Sequence, residues 1–176
     1  MTRLERTIRT SWATGIKADT FLQTVMVSEL LSPSSDLWVV SPWITDVVAV
    51  DNSHGFYDDM FENPPTRLRL AATLGILSEQ GCQVRIVTRS DPHNDAFLDR
   101  VASAAPHILI AIDEGDWVHE KTLCGQHWII TGSMNFTING MERNDEYTTF
   151  QYGGSLPAQT RIDLNARWKE QLHVRR

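Results

Sequence analysis

Three short apolar runs, Leu37-Trp-Val-Val-Ser-Pro-Trp-Ile44, Val84-Arg-Ile-Val-Thr88 and Ile108 to Ile112, are separated by segments with helical spacing. That alternation restricts the chain to an α/β fold, a mixed sheet covered by helices. The first run ends soon after Pro42 and reads as a buried strand. Before it, residues about 19 to 31 carry Phe21, Leu22, Val25, Met26, Leu30 and Leu31 at helical spacing, and Ser32-Pro-Ser-Ser breaks the helix. Val50 to Pro65, rich in Asp, Asn, Pro and Gly, reads as a loop, and Arg67 to Gln80 as a helix stopped by Gly81. Asp91 to Ala104 is a helix begun by Ser90 or Asp91, with Pro92 in its first turn. After the third run, Trp117 to Cys124, Gly125-Gln126 and His127 to Thr131 read as a hairpin with a two-residue II′ turn. A loop or short helix near Phe136 to Met141, a strand from Glu146 to Tyr152 and a closing helix from about Pro157 to His173 complete the chain. The expectation is one domain over residues 1–176, with a polar N-terminal segment at 1–18.

Within and after the hairpin stand His119-Glu-Lys121, Gly132-Ser-Met-Asn135 and Asn144-Asp-Glu146. On a strand, residues two apart share a face, so His119 and Lys121 project together and Glu120 projects oppositely. The expected register sets His119 opposite Gly132 and Lys121 opposite Ile130, so that Ser133 and Asn135 emerge near the imidazole. These residue types suit an anionic substrate. Lys121, the Asn135 amide and the Ser133 hydroxyl are donors for phosphate oxygens, and an imidazole serves as nucleophile or as acid.

The three pieces, in this order, resemble the active-site signature of the phospholipase D superfamily, the HKD motif of metal-independent phosphodiester cleavage through a phosphohistidine. The order of elements is also that of one phospholipase D-type domain, so the resemblance covers nearly the whole chain. In the family pattern an Asp follows the Lys by five residues. Here that position is Gln126, and the span from His119 to Ser133 is one residue shorter than usual. The resemblance implies catalytic roles for His119, Lys121, Ser133 and Asn135, with Glu146 orienting His119 and Asn144 beside it. It implies no metal and no cofactor. The reaction needs two imidazoles, yet the chain holds one His-x-Lys; its other histidines are 54, 93, 107, 127 and 173, and its other lysines 17 and 169. Single-motif members, bacterial nucleases of about this length, form homodimers with a shared site, which is implied here too. Ser41-Pro-Trp-Ile-Thr-Asp46, Thr88-Arg-Ser-Asp-Pro-His-Asn94, His119 to Gly125 and Gly132 to Thr137 further resemble a small phospholipase D-like protein of bacterial 7-deazaguanine DNA-modification clusters. DNA as substrate, and a restriction or defence role with partner proteins of such a cluster, follow as expectations. The alternatives are a phospholipid headgroup as substrate and a non-catalytic, nucleic-acid-binding subunit of a larger complex.

Charge weighs against general nucleic-acid binding: 22 acidic against 16 basic residues give a net charge of −6. Any DNA contact must come from a local groove, with Arg3, Arg6, Arg9, Arg67, Arg69 and Arg89 as candidates. Arg89 and His93 lie at a strand end and helix start, where α/β sheets bind ligands, and are candidate phosphate contacts. Trp43 and Asp46 suit either the site or a dimer interface. Trp38, Trp128 and Trp168 fit core patterns, leaving Trp43 and Trp117 as candidate base-stacking platforms. Asp91, His93 and Asp95 have metal-ligand types but read as a helix start; His127 and His173 read as surface or structural residues. Cys82 and Cys124 read as reduced, core-proximal thiols. No run is long enough to span a bilayer, and no apolar leader follows Met1 to Arg6, so a cytoplasmic protein is expected. The sequon Asn135-Phe-Thr137 is then accidental.

Overall fold

The computed structural model describes residues 3–11 and 18–175; Met1, Thr2, residues 12–17 with Lys17, and Arg176 lie outside the described residues. In chain order the elements are β1 (Leu4–Thr10), α1 (Asp19–Leu31), β2 (Asp36–Val40), β3 (Val48–Asp51), β4 (Arg67–Arg69), α2 (Leu70–Glu79), β5 (Gln83–Arg89) and α3 (Pro92–Ala104). There follow β6 (Leu109–Asp113), β7 (Thr122–Cys124), β8 (Trp128–Gly132), α4 (Ile138–Glu142), β9 (Glu146–Tyr152), α5 (Leu156–Trp168) and β10 (His173–Val174). Among the described residues, eight strands form one mixed sheet in the order β1-β9-β8-β7-β2-β5-β6-β10, and β3-β4 form a small second sheet. The three apolar runs supply the parallel centre, β2 beside β5 beside β6. The hairpin β7-β8, then β9 and β1, add antiparallel strands on one side.

Alternation along the central strands divides the interior in two. Leu37, Val39, Val84, Ile86, Ile110, Leu123 and Ile130 face the larger core with Leu22, Met26, Leu74 and Phe97 of α1, α2 and α3. Trp38, Val40, Val87, Cys124 and Ile129 face Leu164 and Trp168 of α5. Each large apolar side chain removed from water in this way contributes about 1.5–3 kcal/mol. Trp38, Trp128 and Trp168 are buried, as their patterns implied, and Cys82 and Cys124 are buried free thiols. Helix α3 starts as its sequence predicts: Asp91 accepts from His93 N at 2.8 Å, and Pro92 occupies the first turn.

Several boundaries differ from expectation. The polar N-terminal segment contains β1, an edge strand exposed along most of its length and paired with β9. The loop predicted over 50–65 begins within β3 and contains a single 3-10 turn at Asp58–Met60, where Asn52 Nδ2 donates to Asp58 (2.8 Å). The helix predicted from Arg67 begins at Leu70, because Arg67 to Arg69 pair with β3 and the buried Asp46 carboxylate accepts from Ala71 N at 2.9 Å. The closing helix ends at Trp168, and His173 belongs to β10.

The hairpin register is corrected by two residues: Thr122 faces Thr131, Leu123 faces Ile130, and Gly125 N bonds Trp128 O, so the turn is Gln126-His127 rather than Gly125-Gln126. Contacts distant in sequence fix it. Ser34 Oγ accepts from Gln126 N (2.8 Å), and the buried Glu29 carboxylate accepts from Ser34 and from the Trp128 indole. A shift by two preserves the faces, since strand periodicity is two. Glu120 accordingly turns away from His119 and pairs with Arg167 of α5 at 3.1 Å.

Candidate active site

His119 and Lys121 lie in the extended run just before β7, outside the paired ladder. The His119 ring is exposed and meets one buried cation: Arg89, at the end of β5 and 8% exposed, places Nη2 3.0 Å from both ring nitrogens. Arg89 Nε also donates to Val118 O (2.8 Å) and Nη2 to Asp116 O (3.2 Å), while its guanidinium carbon lies 5.3 Å from the Trp43 ring centroid. One side chain therefore ties the His119 ring, the loop preceding it and an exposed indole together. Lys121 Nζ donates to the His119 backbone carbonyl at 2.6 Å.

Ser133, Asn144 and Glu146 form a second group. The Glu146 carboxylate accepts from Ser133 Oγ and, at 3.3 Å, from Asn144 Nδ2. Glu146 therefore orients Ser133 within this chain; its hydrogen bonds run to Ser133 and Asn144, not to His119. Ser133 is further held by its N–H on Tyr147 O (3.0 Å) and by Tyr147 N on its Oγ (3.1 Å). Gly132 permits this close approach: a Cβ there would lie 2.1 Å from Tyr147 O. Asn135 Oδ1 lies 3.4 Å from Ser41 Oγ, which donates to Trp43 O at 2.9 Å.

Trp43 is fixed through its indole N–H, which donates to Asp91 at 2.9 Å. The Asp91 carboxyl is held below its usual range first by the His93 N–H and then by that indole. His93 Nε2 lies 3.0 Å from Thr45 Oγ1, and these two residues with Arg143 line an open groove of 370 Å³. Among the described residues no three of His, Cys, Asp and Glu gather as metal ligands, and Asp91, Pro92 and Asp95 form the start of α3. Asp46 lies away from the site, 4% exposed, bonded to Ala71 N and to Arg100 (3.0 Å). Gln126, at the usual Asp position, sits at the hairpin turn against Ser34 and Ser35.

Two residues that hold backbone beside the site had no role assigned from the sequence. Asn94, fully buried, accepts from Ile44 N (2.8 Å) and donates to Pro42 O and Arg89 O (both 3.0 Å), joining the Trp43 loop to the end of β5. Asp113, 5% exposed, accepts from Gly115 N (3.1 Å) and Val118 N (2.6 Å) and fixes the loop that leads into His119. An acidic residue ending an apolar run was the only signal for Asp113, and Asn94 stood only as the last residue of the 88–94 segment, with no role of its own.

The arrangement brings together the cations of Lys121 and Arg89, an exposed imidazole, and a hydroxyl held by the Glu146 carboxylate. The family model described as "Cardiolipin synthase, PLD-like domain" matches residues 59–168. The fold is similar to that of Nuc, a phospholipase D family member from Salmonella typhimurium, at a TM-score of 0.69 and 16% identity over 99% of each chain. NucT from Helicobacter pylori is similar at 0.64 and 11% identity, over 99% of this chain and 100% of that one. Phosphatidylserine synthase from Haemophilus influenzae Rd KW20 is similar at 0.58 and 13% identity, over 99% of this chain and 40% of that one. No curated relative matches the chain.

Proposed function

The chain belongs to the phospholipase D-like family and is accordingly a phosphodiesterase, and we propose that it is a metal-independent endonuclease on DNA that works as a homodimer through a phosphohistidine. The observation that carries this reading is the lone His119-x-Lys121 pair, its ring exposed beneath Arg89. One imidazole suffices for attack, and a second is needed to protonate the leaving oxygen; a twofold axis through the site supplies it.

His119 of one protomer, unprotonated, attacks phosphorus in line with the scissile P–O bond. That bond breaks as the imidazolium of its partner gives a proton to the departing oxygen. Lys121, Arg89 and Asn135 stabilise the charge on the nonbridging oxygens, with Ser133 held by Glu146 beside them. The partner imidazole then takes a proton from water, whose oxygen attacks phosphorus and breaks the P–N bond, releasing His119 and the phosphate product. A place in a bacterial DNA-modification or defence system, with proteins of that system as partners, is supported by the resemblance of residues 41–46, 88–94, 119–125 and 132–137.

Cleavage of end-labelled single- and double-stranded DNA in excess EDTA, by the protein and its His119→Ala variant, tests the reading. Cutting that survives chelation and is lost in the variant is expected. Cutting that EDTA abolishes, or that the variant retains, would overturn it, and a monomer by light scattering at micromolar concentration would overturn the shared site.

A further inference from the structure

The loop between β6 and β7 exposes an indole more than its packing requires. Trp117 is 80% exposed, two residues before His119. Its mounting is nonetheless rigid. Asp113 holds the loop from inside through Gly115 N and Val118 N, and Arg89 holds the carbonyls on either side of Trp117, those of Asp116 and Val118. Asp116 is kept at φ 56°, uncommon for a residue with a side chain, so the chain doubles back to lift Trp117 outward. Gly115 lies directly against the indole: a Cβ there would stand 2.2 Å from Trp117 Nε1. On the other side of Arg89 is Trp43, 36% exposed, its N–H already committed to Asp91. Two exposed indoles thus stand beside Arg89 and its loop, Trp43 at 5.3 Å from the guanidinium and Trp117 two residues before His119.

We propose that Trp117 and Trp43 are stacking platforms for the bases that flank the phosphate at His119, and that single-stranded DNA is the substrate class. This rests on the nuclease reading of the site. Every base offers a π-face, so stacking is tolerant of sequence, and it needs no excess of positive charge. That suits a chain of net charge −6. The acidic residues before Trp117 decide between single strand and duplex. Glu114 and Asp116 both precede it and are exposed, Asp116 at 79% with its carboxylate 3.8 Å from Arg89 Nε. A duplex presents phosphates outward, and these carboxylates would repel them. An anionic membrane would be repelled equally. A single strand turns its bases toward the indole and its phosphates toward Arg89 and Lys121, which removes the conflict.

The experiment measures binding of a fluorescent single-stranded oligonucleotide and of the matching duplex by anisotropy, for the full chain, Trp117→Ala, Trp117→Phe and Trp43→Ala. Oligomeric state is followed by light scattering on the same samples. Each Ala variant is expected to weaken single-strand binding about tenfold or more, with a smaller effect on the duplex, and Trp117→Phe to restore most of the loss at unchanged oligomeric state. Equal losses on both DNA forms, or no loss, would overturn the proposal. Loss that tracks dissociation to monomers would instead assign Trp117 to contact between copies, and loss of binding to anionic vesicles in place of DNA would assign it to lipid. Hydrolysis of bis(p-nitrophenyl) phosphate, too small to bridge the indoles, is followed in parallel. If the parent protein lacks it, the phosphodiesterase chemistry fails while the binding result still decides the stacking.

Discussion

Asn94→Ala is the substitution whose cost follows most directly from the geometry. The side chain is fully buried and makes three hydrogen bonds of 2.8–3.0 Å, to Ile44 N, Pro42 O and Arg89 O. Alanine leaves the Ile44 N–H without its side-chain acceptor, a loss of about 1–3 kcal/mol, and removes two donated bonds of about 1 kcal/mol each. Pro42 O keeps Thr88 Oγ1 as a donor at 3.3 Å, which softens one of these losses. Alanine regains roughly 0.6 kcal/mol of helix propensity in the first turn of α3. The expected destabilisation is about 3 kcal/mol. With a urea dependence of about 1–3 kcal/mol per molar, the unfolding midpoint falls by roughly 1–3 M. Tryptophan fluorescence reads the transition, given that the slope is preserved. Because Asn94 also locates Arg89 and the Trp43 loop, hydrolysis of a small phosphodiester should drop under conditions where the variant is still folded. A midpoint shift under about 0.5 M, with turnover intact, would refute the argument that this amide joins β5 to the substrate side of the site.

Lys121→Met removes a donor that matters most as charge develops on phosphate, and should lower kcat by about 10²–10³-fold with a smaller change in KM, as measured on a chromogenic phosphodiester. Asp113→Ala should release the loop before His119, seen as faster hydrogen exchange at the Val118 and Gly115 amides; protection equal to that of the parent would sink the idea. Cys82 and Cys124 have thiol pKa values pushed up to about 12, chiefly by burial, so neither should react with a disulfide reagent at pH 8 until the protein is denatured. Since both folded values lie above the usual 9.0, their contribution to stability is complete below about pH 9 and is lost as pH rises toward 12, which alkaline urea titrations can follow.

Much of this was legible in the residues. The central strands show as apolar runs because both faces of β2, β5 and β6 are covered, and β9 was read to its boundaries. The edge strand β1 was not, because its side chains are mostly exposed and nothing forces alternation on them. The hairpin register failed for a different reason. Local turn chemistry favoured Gly125-Gln126, while the deciding bonds come from Glu29 and Ser34, more than ninety residues earlier in the chain. At the site, His119, Lys121, Ser133 and Asn135 announce themselves through residue type and spacing. Asn94 and Asp113 act by holding backbone, and such work leaves no pattern in a single sequence. Glu146 entered through the family resemblance as the partner of His119, and only the folded structure shows its carboxylate holding Ser133 and Asn144.

The guanidinium of Arg89 divides the neighbourhood of His119 into a part that cannot change and a part that can. Positions it touches or that support it, from Val118 to Asn94 and Asp113, are bound to one another and drift only together. Glu114 and Trp117 stand outside that lattice as exposed side chains on a loop whose course is already fixed. On the reading proposed above, substitutions at the rim, one residue at a time, would alter substrate choice and leave the bonded groups around Arg89 unchanged. A library confined to residues 114 and 117 would explore nucleic-acid preference without risking the fold.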